Sequence, residues 1–336
     1  MLNTIILGTI AVKKMKAVVY TEYGPPEVAK LIEVSKPVPK DNEVLIRVCA
    51  STVNRTDSGF RSARYFISRF WSGLLRPKYQ ILGCEFAGII EEIGKDVTTF
   101  KNGDNVFGYN DQTCGGHAEF LTISENDAIT TLPNNLNFAE AAPITEGAHY
   151  ALNSIKASKI TKGQNVLVYG ATGAIGSAAV QLLKHFGTNV TAICNSKNVE
   201  LVKSLGADTV IDYQTQDFTK TENKFHFIFD AVGKSSFKQC KPLLTKEGVY
   251  VSTELGKNAE NIFFALTTPI WGGKKVLFPI PTINKADVIF LKELVEKGEF
   301  KPVIDRHYKL DQIVEAYKYV ETGQKTGNVI LEIQEV

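Results

Sequence analysis

The stretch ILGCEFAG, residues 81–88, places Cys84 and Glu85 side by side, directly after a glycine. A thiolate beside a carboxylate is a ligand combination that zinc accepts in proteins, but a catalytic zinc needs three protein ligands. The five histidines of the chain form no cluster that would complete such a set. Three interpretations remain open: an incomplete metal site, a small semi-buried cysteine beside a cleft, and a redox-sensitive thiol.

A second stretch, NVLVYGATGAIGSAAVQLLKHFG at 165–187, carries three glycines where an apolar run changes to a helical pattern. Small residues at a strand–helix junction let the backbone close around a pyrophosphate, whose charge is met by free N–H groups at the helix N-terminus. The alternative is an ordinary structural turn between a strand and a helix. The predicted cofactor-binding residues here are Gly170, Ala171, Thr172, Gly173, Ala174, Ile175 and Gly176.

The next apolar run, NVTAIC, indicates which dinucleotide this loop would bind. An NAD site usually has Asp or Glu about 20 residues after the glycines, where it binds the ribose 2′-hydroxyl. This chain has Asn195, Ser196 and Lys197 there, and no acid. A carboxylate would repel a 2′-phosphate, whereas lysine and hydroxyl or amide donors would bind it. The sequence therefore predicts NADPH, although a solvent-facing lysine in such a turn is common.

The surrounding patterns predict two domains in the 336 residues. Residues 16–135 contain short β-branched runs separated by turn sequences such as YGPPE and KNGDN, which are typical of a compact β-rich domain. From about residue 137, apolar strands of about five residues alternate with helices, which indicates a parallel sheet covered on both faces. The stretch NFAEAAPITEGAHYALNSI is predicted to be helical, with Asn137 as its cap and Glu140 three residues on.

Composition describes an ordinary globular chain, 44% hydrophobic and 22% charged, with a net charge of +2 that argues neither for nor against an anionic partner. The five cysteines are scattered, which fits a reducing compartment. The N-terminal run TIILGTIAV is too short to span a bilayer, and lysines follow it rather than precede it. We therefore expect a cytoplasmic protein without membrane partners, with residues 1–14 as an extension.

Six stretches together resemble the medium-chain dehydrogenases/reductases of the zinc-independent, zeta-crystallin-like NADPH:quinone oxidoreductase type. They run in the family's order from about Met15 to the C-terminus: MKAVVYTEYGPPEVAKL, LGCEFAGIIEEIGKDVTTFKNGDNVFGY, VLVYGATGAIGSAAVQLLKHFG, ELVKSLGADTVIDY, FDAVGKSSF and KPVIDRHYKLDQIVEAYKYVETGQKTGNVILEI.

The resemblance implies an α/β fold with a GroES-like β-rich catalytic domain, residues 15–136 and 292–336, and a doubly wound Rossmann domain, residues 137–291. It also implies NADPH in the cleft and a homodimer. By the family's pattern Tyr213 lies near the adenosine, and Val232, Gly233, Ser252 and Asn328 lie along the nicotinamide side. The chain departs from the pattern at Gly147, where relatives often carry a cofactor-holding threonine; Thr145 or Glu146 could replace it.

Zinc alcohol dehydrogenases of the superfamily have a histidine where this chain has Cys84 and a cysteine where it has Asn54, and the resemblance therefore implies no metal. Without a Lewis acid, a reductase depends on hydrogen bonds and on an electron-poor substrate, as a quinone or an α,β-unsaturated carbonyl would be. Asn54 is the first candidate to hold the substrate oxygen or the nicotinamide ribose. Asp57 completes the candidate site and is expected to orient its neighbours, as is Glu85.

Residues 55–80 contain six basic and six aromatic residues. Their aromatic side chains could cover a pocket for a small, apolar, planar substrate, with Tyr65 as a candidate proton donor. Basic and aromatic residues together can also bind single-stranded nucleic acid, and a solvated basic helix packed on the barrel is the simpler interpretation. The competing functions are a zinc-type alcohol dehydrogenase and a non-catalytic NADPH-binding or RNA-binding protein, although nucleic acid is not the expected partner.

Overall fold

The computed structural model describes residues 13–63 and 69–335, which fold around two large β-sheets and a two-stranded one. The strands outside the dinucleotide-binding region are β1 (Lys14–Val19), β2 (Lys30–Ser35), β3 (Glu43–Val53), β4 (Glu85–Ile93), β5 (Asn105–Tyr109), β6 (Phe120–Ser124), β7 (Ile129–Thr131), β14 (Ile304–Lys309) and β15 (Asn328–Glu332). β1 pairs with β2, and the other seven form one sheet in the order β14-β15-β3-β4-β5-β7, with β6 also on β3.

The second sheet consists of β8 (Asn165–Tyr169), β9 (Asn189–Cys194), β10 (Thr209–Asp212), β11 (Phe225–Asp230), β12 (Leu244–Ser252) and β13 (Lys275–Leu277). It is entirely parallel and has the order β10-β9-β8-β11-β12-β13. Counted from its first strand, this is the 3-2-1-4-5-6 arrangement of a doubly wound dinucleotide-binding fold, with a switch point between β8 and β11. The predicted fold class is therefore confirmed.

Helices cover this parallel sheet and close the β-rich domain. The central strands are fully buried, as a sheet covered on both faces requires: Val166, Leu167 and Val168 of β8 have no exposed surface. The helices are α1 (Arg55–Ser62), α2 (Arg69–Ser72), α3 (Phe138–Ala141), α4 (Glu146–Ser158), α5 (Ala174–His185), α6 (Val199–Ser204), α7 (Phe237–Cys240), α8 (Glu260–Trp271), α9 (Lys285–Glu296) and α10 (Ile313–Glu321).

The helix predicted from Asn137 onward is present but interrupted. Asn137 and Glu140 form the expected capping box, in which each side chain accepts from the other's backbone N–H. The α-helix ends after one turn, however, because Pro143 has no N–H and takes non-helical angles within a 3-10 turn. α4 then begins at Glu146, and this restart turns its N-terminus toward the β-rich domain.

The C-terminal segment returns to the first sheet, where β15 pairs antiparallel with β3 and places Val329 opposite Val53. Two predicted domain limits need correction. Lys14 already belongs to β1, so the extension predicted at 1–14 overlaps a strand by one residue. A limit between 291 and 292 would cut α9, which is one continuous helix. In the part of the chain that the structure describes, no helix is long and apolar enough to cross a membrane.

Candidate functional site

The glycine loop has the close-packed geometry that a pyrophosphate site requires. A Cβ on Gly176 would lie 2.1 Å from the Gly170 carbonyl oxygen, and Gly170 itself has a φ of +79°. α5 begins after Gly173 without a side-chain cap, so its first N–H groups are available to an anion. The loop therefore fits the phosphate part of a dinucleotide, and Ala171, Thr172, Ala174 and Ile175 supply its remaining backbone.

The other domain closes over this loop through the segment before β15. Gly327 donates its N–H to the Thr172 carbonyl at 2.6 Å and forms a bridge with Gly173. This contact places Lys325, a half-buried residue that the sequence did not single out, beside the loop; its Nζ donates to the Gly327 carbonyl. Burial lowers the pKa of Lys325 to about 8, although the negative charge of Glu85 acts in the opposite direction.

The segment expected to bind the 2′-phosphate lies next to a carboxylate that the sequence did not indicate. Lys197 and Ser196 are exposed at the end of β9, and the Asn195 side-chain oxygen accepts from Asn198 at 2.8 Å. The Ser196 hydroxyl donates to Asp212, the last residue of the adjacent strand β10. This hydrogen bond lowers the pKa of Asp212 and keeps it ionised. An acid that β9 lacks thus lies at the end of the neighbouring strand, hydrogen-bonded to Ser196.

Two of the residues expected along the nicotinamide side, Val232 and Gly233, are held by Asp230, which the sequence also did not single out. Its buried carboxylate accepts from the N–H groups of Val232 at 3.1 Å and Gly233 at 2.8 Å, where the backbone turns through a positive φ. The Ser252 hydroxyl, also expected on this side, accepts from the Glu254 N–H. Tyr213, which is expected near the adenosine, is half exposed after β10.

Asn328, also placed on this side by the family pattern, directs its side-chain amide elsewhere. Its Nδ2 donates to the Val303 carbonyl at 3.0 Å, which fixes the turn before β15. The side chain is buried, so Asn328 contributes to the site through the position of this turn.

Asn54 and Asp57 form a capping box at the start of α1. Asn54 Oδ1 accepts from the Asp57 N–H at 2.9 Å, and Asp57 Oδ2 accepts from the Asn54 N–H at 3.0 Å. This leaves Asn54 Nδ2 buried without a hydrogen-bond partner among the described residues. A buried donor without a partner is costly, and such a group is expected where a ligand supplies the acceptor.

Asp57 is bonded as a positioning residue, the role that is expected from the sequence for this member of the candidate site. Its other oxygen accepts from the Gly83 N–H at 3.1 Å, so both oxygens bind backbone donors. Burial, and then the charge of Glu146, raise the pKa of Asp57 to about 8. The third catalytic candidate, Tyr65, lies outside the described residues.

Glu85 connects the two domains through hydrogen bonds to the start of α4. Oε1 accepts from the Thr145 N–H at 3.0 Å, the Thr145 hydroxyl at 2.9 Å and the Glu146 N–H at 2.6 Å, while Oε2 accepts from Thr52. Because the Thr145 hydroxyl donates its hydrogen to Glu85, it is not available as a donor to a cofactor.

Gly147 stands where relatives often carry a threonine. A Cβ on Gly147 would lie 2.5 Å from the Ala174 carbonyl oxygen, which explains why this chain departs from the family pattern at that position.

Cys84 is 1% exposed, and its Sγ lies 3.5 Å from the Sγ of Cys114. Within residues 13–63 and 69–335, no group of three or more Cys, His, Asp or Glu side chains is placed to hold a metal ion. His117 bonds to the Thr52 carbonyl through Nε2, and His149 packs between two tyrosine rings. Both histidines therefore have structural partners.

Comparison with known proteins agrees with this geometry. Residues 40–134 match the alcohol dehydrogenase GroES-like domain, and residues 205–331 match the zinc-binding dehydrogenase domain. The chain is 33% identical to 2-methylene-furan-3-one reductase of Solanum lycopersicum, over 95% of this chain and 79% of that protein. It belongs to the medium-chain dehydrogenase/reductase superfamily.

Two further members of the superfamily are similar over nearly the whole chain. NADPH-dependent alkenal/one oxidoreductase of Arabidopsis thaliana, a chloroplastic protein, is 29% identical over 95% of this chain and 80% of its own length. The solved structure of the quinone oxidoreductase from Coxiella burnetii is 26% identical, covers 96% of this chain and all of its own, and has a TM-score of 0.85. The family recognised from the sequence is therefore confirmed.

We expect the Glu85→Gln variant to lose less stability than the wild type as the pH rises from about 4.5 to about 7. Burial, and then Glu146, raise the pKa of Glu85 from 4.5 to about 7. The folded state thus retains a proton that the unfolded chain has released, so its stabilisation is complete below pH 4.5 and is lost as pH rises through 7. Glutamine keeps the acceptor toward α4 and can donate to Thr52.

Melting temperatures across this pH range measure the effect. Glu27→Gln is the matched control, because Glu27 is an exposed carboxylate whose pKa is lowered by Lys318 and whose pH dependence has the opposite sign. Parallel curves for the wild type and Glu85→Gln would contradict this assignment.

Proposed function

We propose that the protein is a zinc-independent, NADPH-dependent reductase of quinones or α,β-unsaturated carbonyl compounds. The observation that carries the proposal is the buried amide nitrogen of Asn54, a hydrogen-bond donor without a partner among the described residues. Two relatives are named as reductases of a methylene-furanone and of alkenals and alkenones, and the matching solved structure is named a quinone oxidoreductase. One of these names also specifies NADPH.

NADPH, when bound, supplies the hydride. The chain's own residues supply orientation and a donor for the charge that develops on the substrate oxygen. Asn54 Nδ2 is that donor, and Asp57 fixes it by holding the Asn54 backbone and by anchoring α1 to Gly83. The Arg55–Glu254 ion pair, 2.8 Å long, joins the start of α1 to the segment after β12.

Zinc independence is supported by the chemistry of the donors present. Two carboxylates near Cys84 are those of Asp57 and Glu85. Both already accept hydrogen bonds from backbone N–H groups, and Glu85 also accepts from a hydroxyl. The side-chain oxygen of Asn54 caps α1, and a neutral amide is not a zinc ligand comparable to the thiolate of a cysteine. Charge stabilisation in this site therefore rests on hydrogen bonding.

Three basic residues of the 55–80 segment, Arg55, Arg61 and Arg69, have protein partners, which favours a packed helix over a nucleic-acid surface. Arg61 is buried and pairs with Glu321, and Arg69 lies over the Tyr23 ring. The cytoplasmic location stays a prediction; the five free cysteines are what supports a reducing compartment.

We further propose that the protein is a homodimer formed through α8. This helix exposes apolar side chains along one side: Phe263 is 57%, Leu266 70% and Ile270 78% exposed. Glu260 stands at its N-terminus and Lys274 just after its C-terminus. Two copies packed antiparallel about a two-fold axis would bury the apolar side chains and place opposite charges together, as an isologous interface requires.

We expect Leu266→Asp to convert the dimer into a monomer, because the charge would lie in the centre of the buried patch. Molar mass from light scattering during size exclusion gives the result. Val38→Asp is the control and should remain dimeric, because Val38 is 78% exposed and lies between β2 and β3 of the β-rich domain. A wild-type monomer at micromolar concentration would overturn the proposal.

NADPH is expected to bind at least tenfold tighter than NADH, a difference of about 1.4 kcal/mol. Lys197→Ala should remove most of this preference, whereas Asp212→Asn should increase it, since a carboxylate next to Ser196 repels a 2′-phosphate. Titrations of both cofactors measure the two effects. Lys203→Ala is the control for charge alone, because Lys203 pairs with Glu200 on α6. Equal affinities in the wild type would refute the cofactor assignment.

Asn54→Ser is expected to lower kcat about 100–1,000-fold toward a quinone or an enone, with NADPH affinity nearly unchanged. Serine keeps the helix cap but lacks the amide donor. Asn137→Ala, which removes a comparable cap from α3, should leave kcat unchanged. Treatment with a chelator should not reduce wild-type turnover. Faster oxidation of primary alcohols than reduction of any quinone or enone would contradict the proposed chemistry.

A further inference from the structure

Two of the five cysteines form a pair. All five lie in described residues and are buried, and the Sγ atoms of Cys84 and Cys114 are 3.5 Å apart. A disulfide has an S–S length of about 2.05 Å, so a modest approach of these side chains would join them. Neither thiol belongs to the hydrogen-bond network that holds Asn54 and Asp57, although Cys84 directly follows Gly83 in that network.

The backbone on both sides of the pair is fixed by hydrogen bonds. The Asn110 N–H donates to the Cys84 carbonyl at 2.7 Å, and the Asn110 side chain donates to the Cys114 carbonyl at 3.0 Å. Gly116 donates to the Gly83 carbonyl at 2.8 Å. Cys114 itself has a φ of +55°, a left-handed conformation that a non-glycine residue adopts at some cost. The fold thus holds the two thiols together at the expense of local strain.

We propose that Cys84 and Cys114 are a modification site, a dithiol that quinone-class two-electron oxidants convert reversibly into a disulfide. The two S–H bonds break, one S–S bond forms, and two electrons and two protons pass to the quinone, which becomes a hydroquinone. A dithiol reductant reverses the change by thiol–disulfide exchange. The choice of a quinone as oxidant rests on the proposed function; the pairing of the thiols does not.

The disulfide would act on the site through Gly83. Shortening the S–S distance from 3.5 Å to about 2.05 Å pulls Cys84 toward Cys114 and shifts the Gly83 N–H that holds Asp57. Asp57 in turn holds Asn54, and misplacement of a positioning group by about 1 Å can cost 100-fold in rate. The oxidised protein is therefore expected to turn over at least tenfold more slowly, so that excess quinone without NADPH inhibits the enzyme.

The hydrogen bond with Cys114, together with burial, sets the pH dependence of this step. The hydrogen bond with Cys114 and burial raise the pKa of the Cys84 thiol. Because the thiolate is the reactive form, oxidation should be slow at neutral pH and faster in alkaline solution. The carboxyls of Asp57 and Glu146 face Cys84 and add to this effect. A purely structural pair of thiols would remain reduced under the same conditions.

The test uses the full-length protein without NADPH, treated at about pH 9 with diamide or with tetramethyl-1,4-benzoquinone, whose methylated ring disfavours thiol addition. After removal of the oxidant and denaturation, titratable thiols should fall from five to three, with loss of the mass of two hydrogen atoms and a Cys84–Cys114 cross-linked peptide. NADPH-dependent turnover should fall at least tenfold and return with dithiothreitol. Cys84→Ser and Cys114→Ser should each keep their remaining thiols, whereas Cys49→Ser should behave as the wild type.

The outcomes separate this proposal from the proposed function. Five thiols after both oxidants, in a protein that reduces quinones, would overturn the modification site alone. A disulfide formed with diamide in a protein that reduces no quinone or enone would overturn the function alone. A disulfide formed only by diamide would refute the quinone as oxidant, and a disulfide that leaves turnover unchanged would refute the coupling through Gly83. Thermal melts of both serine variants establish that they are folded.

Discussion

The buried carboxyl of Glu85 is the interaction on which the arrangement of the two domains depends. It belongs to β4 of the β-rich domain, yet one of its oxygens accepts two backbone N–H groups and a hydroxyl from the start of α4. Those N–H groups are the unsatisfied donors of a helix N-terminus, where the helix dipole favours negative charge. Pro143 makes this contact possible, because it interrupts the preceding helix and lets α4 begin next to Glu85. A simple turn would not point these donors toward β4.

A second connection joins the glycine loop to the turn before β15. Gly327 binds the backbone of the glycine loop at Thr172, and no side chain could replace this glycine, since a Cβ would lie 2.2 Å from the Val303 carbonyl. The two connections, through α4 and through the turn before β15, join the domains at separate points of the chain. Lys325 lies at the second connection, and the negative charge of Glu85 acts on it.

The features that could be predicted from the sequence are those set by local sterics or by capping. The glycine loop is one of these, because Gly176 is required by a backbone contact six residues away. The capping box of Asn137 is another. Asp212 was missed because it stands at the end of one strand and bonds Ser196 after the neighbouring strand, whereas Asp230 stands at the end of a strand and holds the turn that directly follows it. Carboxyl ends of adjacent parallel strands share one edge, so an inventory of strand-end residues would have found both once the strand order was known. The Cys84–Cys114 pair has no sequence signal, since 30 residues separate its members.

The hydrogen bonding of Asn54 shows why an asparagine occupies the N-cap position of α1. The two halves of its amide have different tasks: the oxygen accepts from the Asp57 N–H as the cap of α1, and this bond orients the nitrogen away from the helix. Serine, threonine or aspartate would cap the helix equally well but would present no amide N–H to a ligand. A glutamine would offer the same groups on a longer side chain and would lose the short-range cap. The hydrogen bond that caps α1 therefore also orients the amide nitrogen of Asn54, because both atoms belong to one planar group.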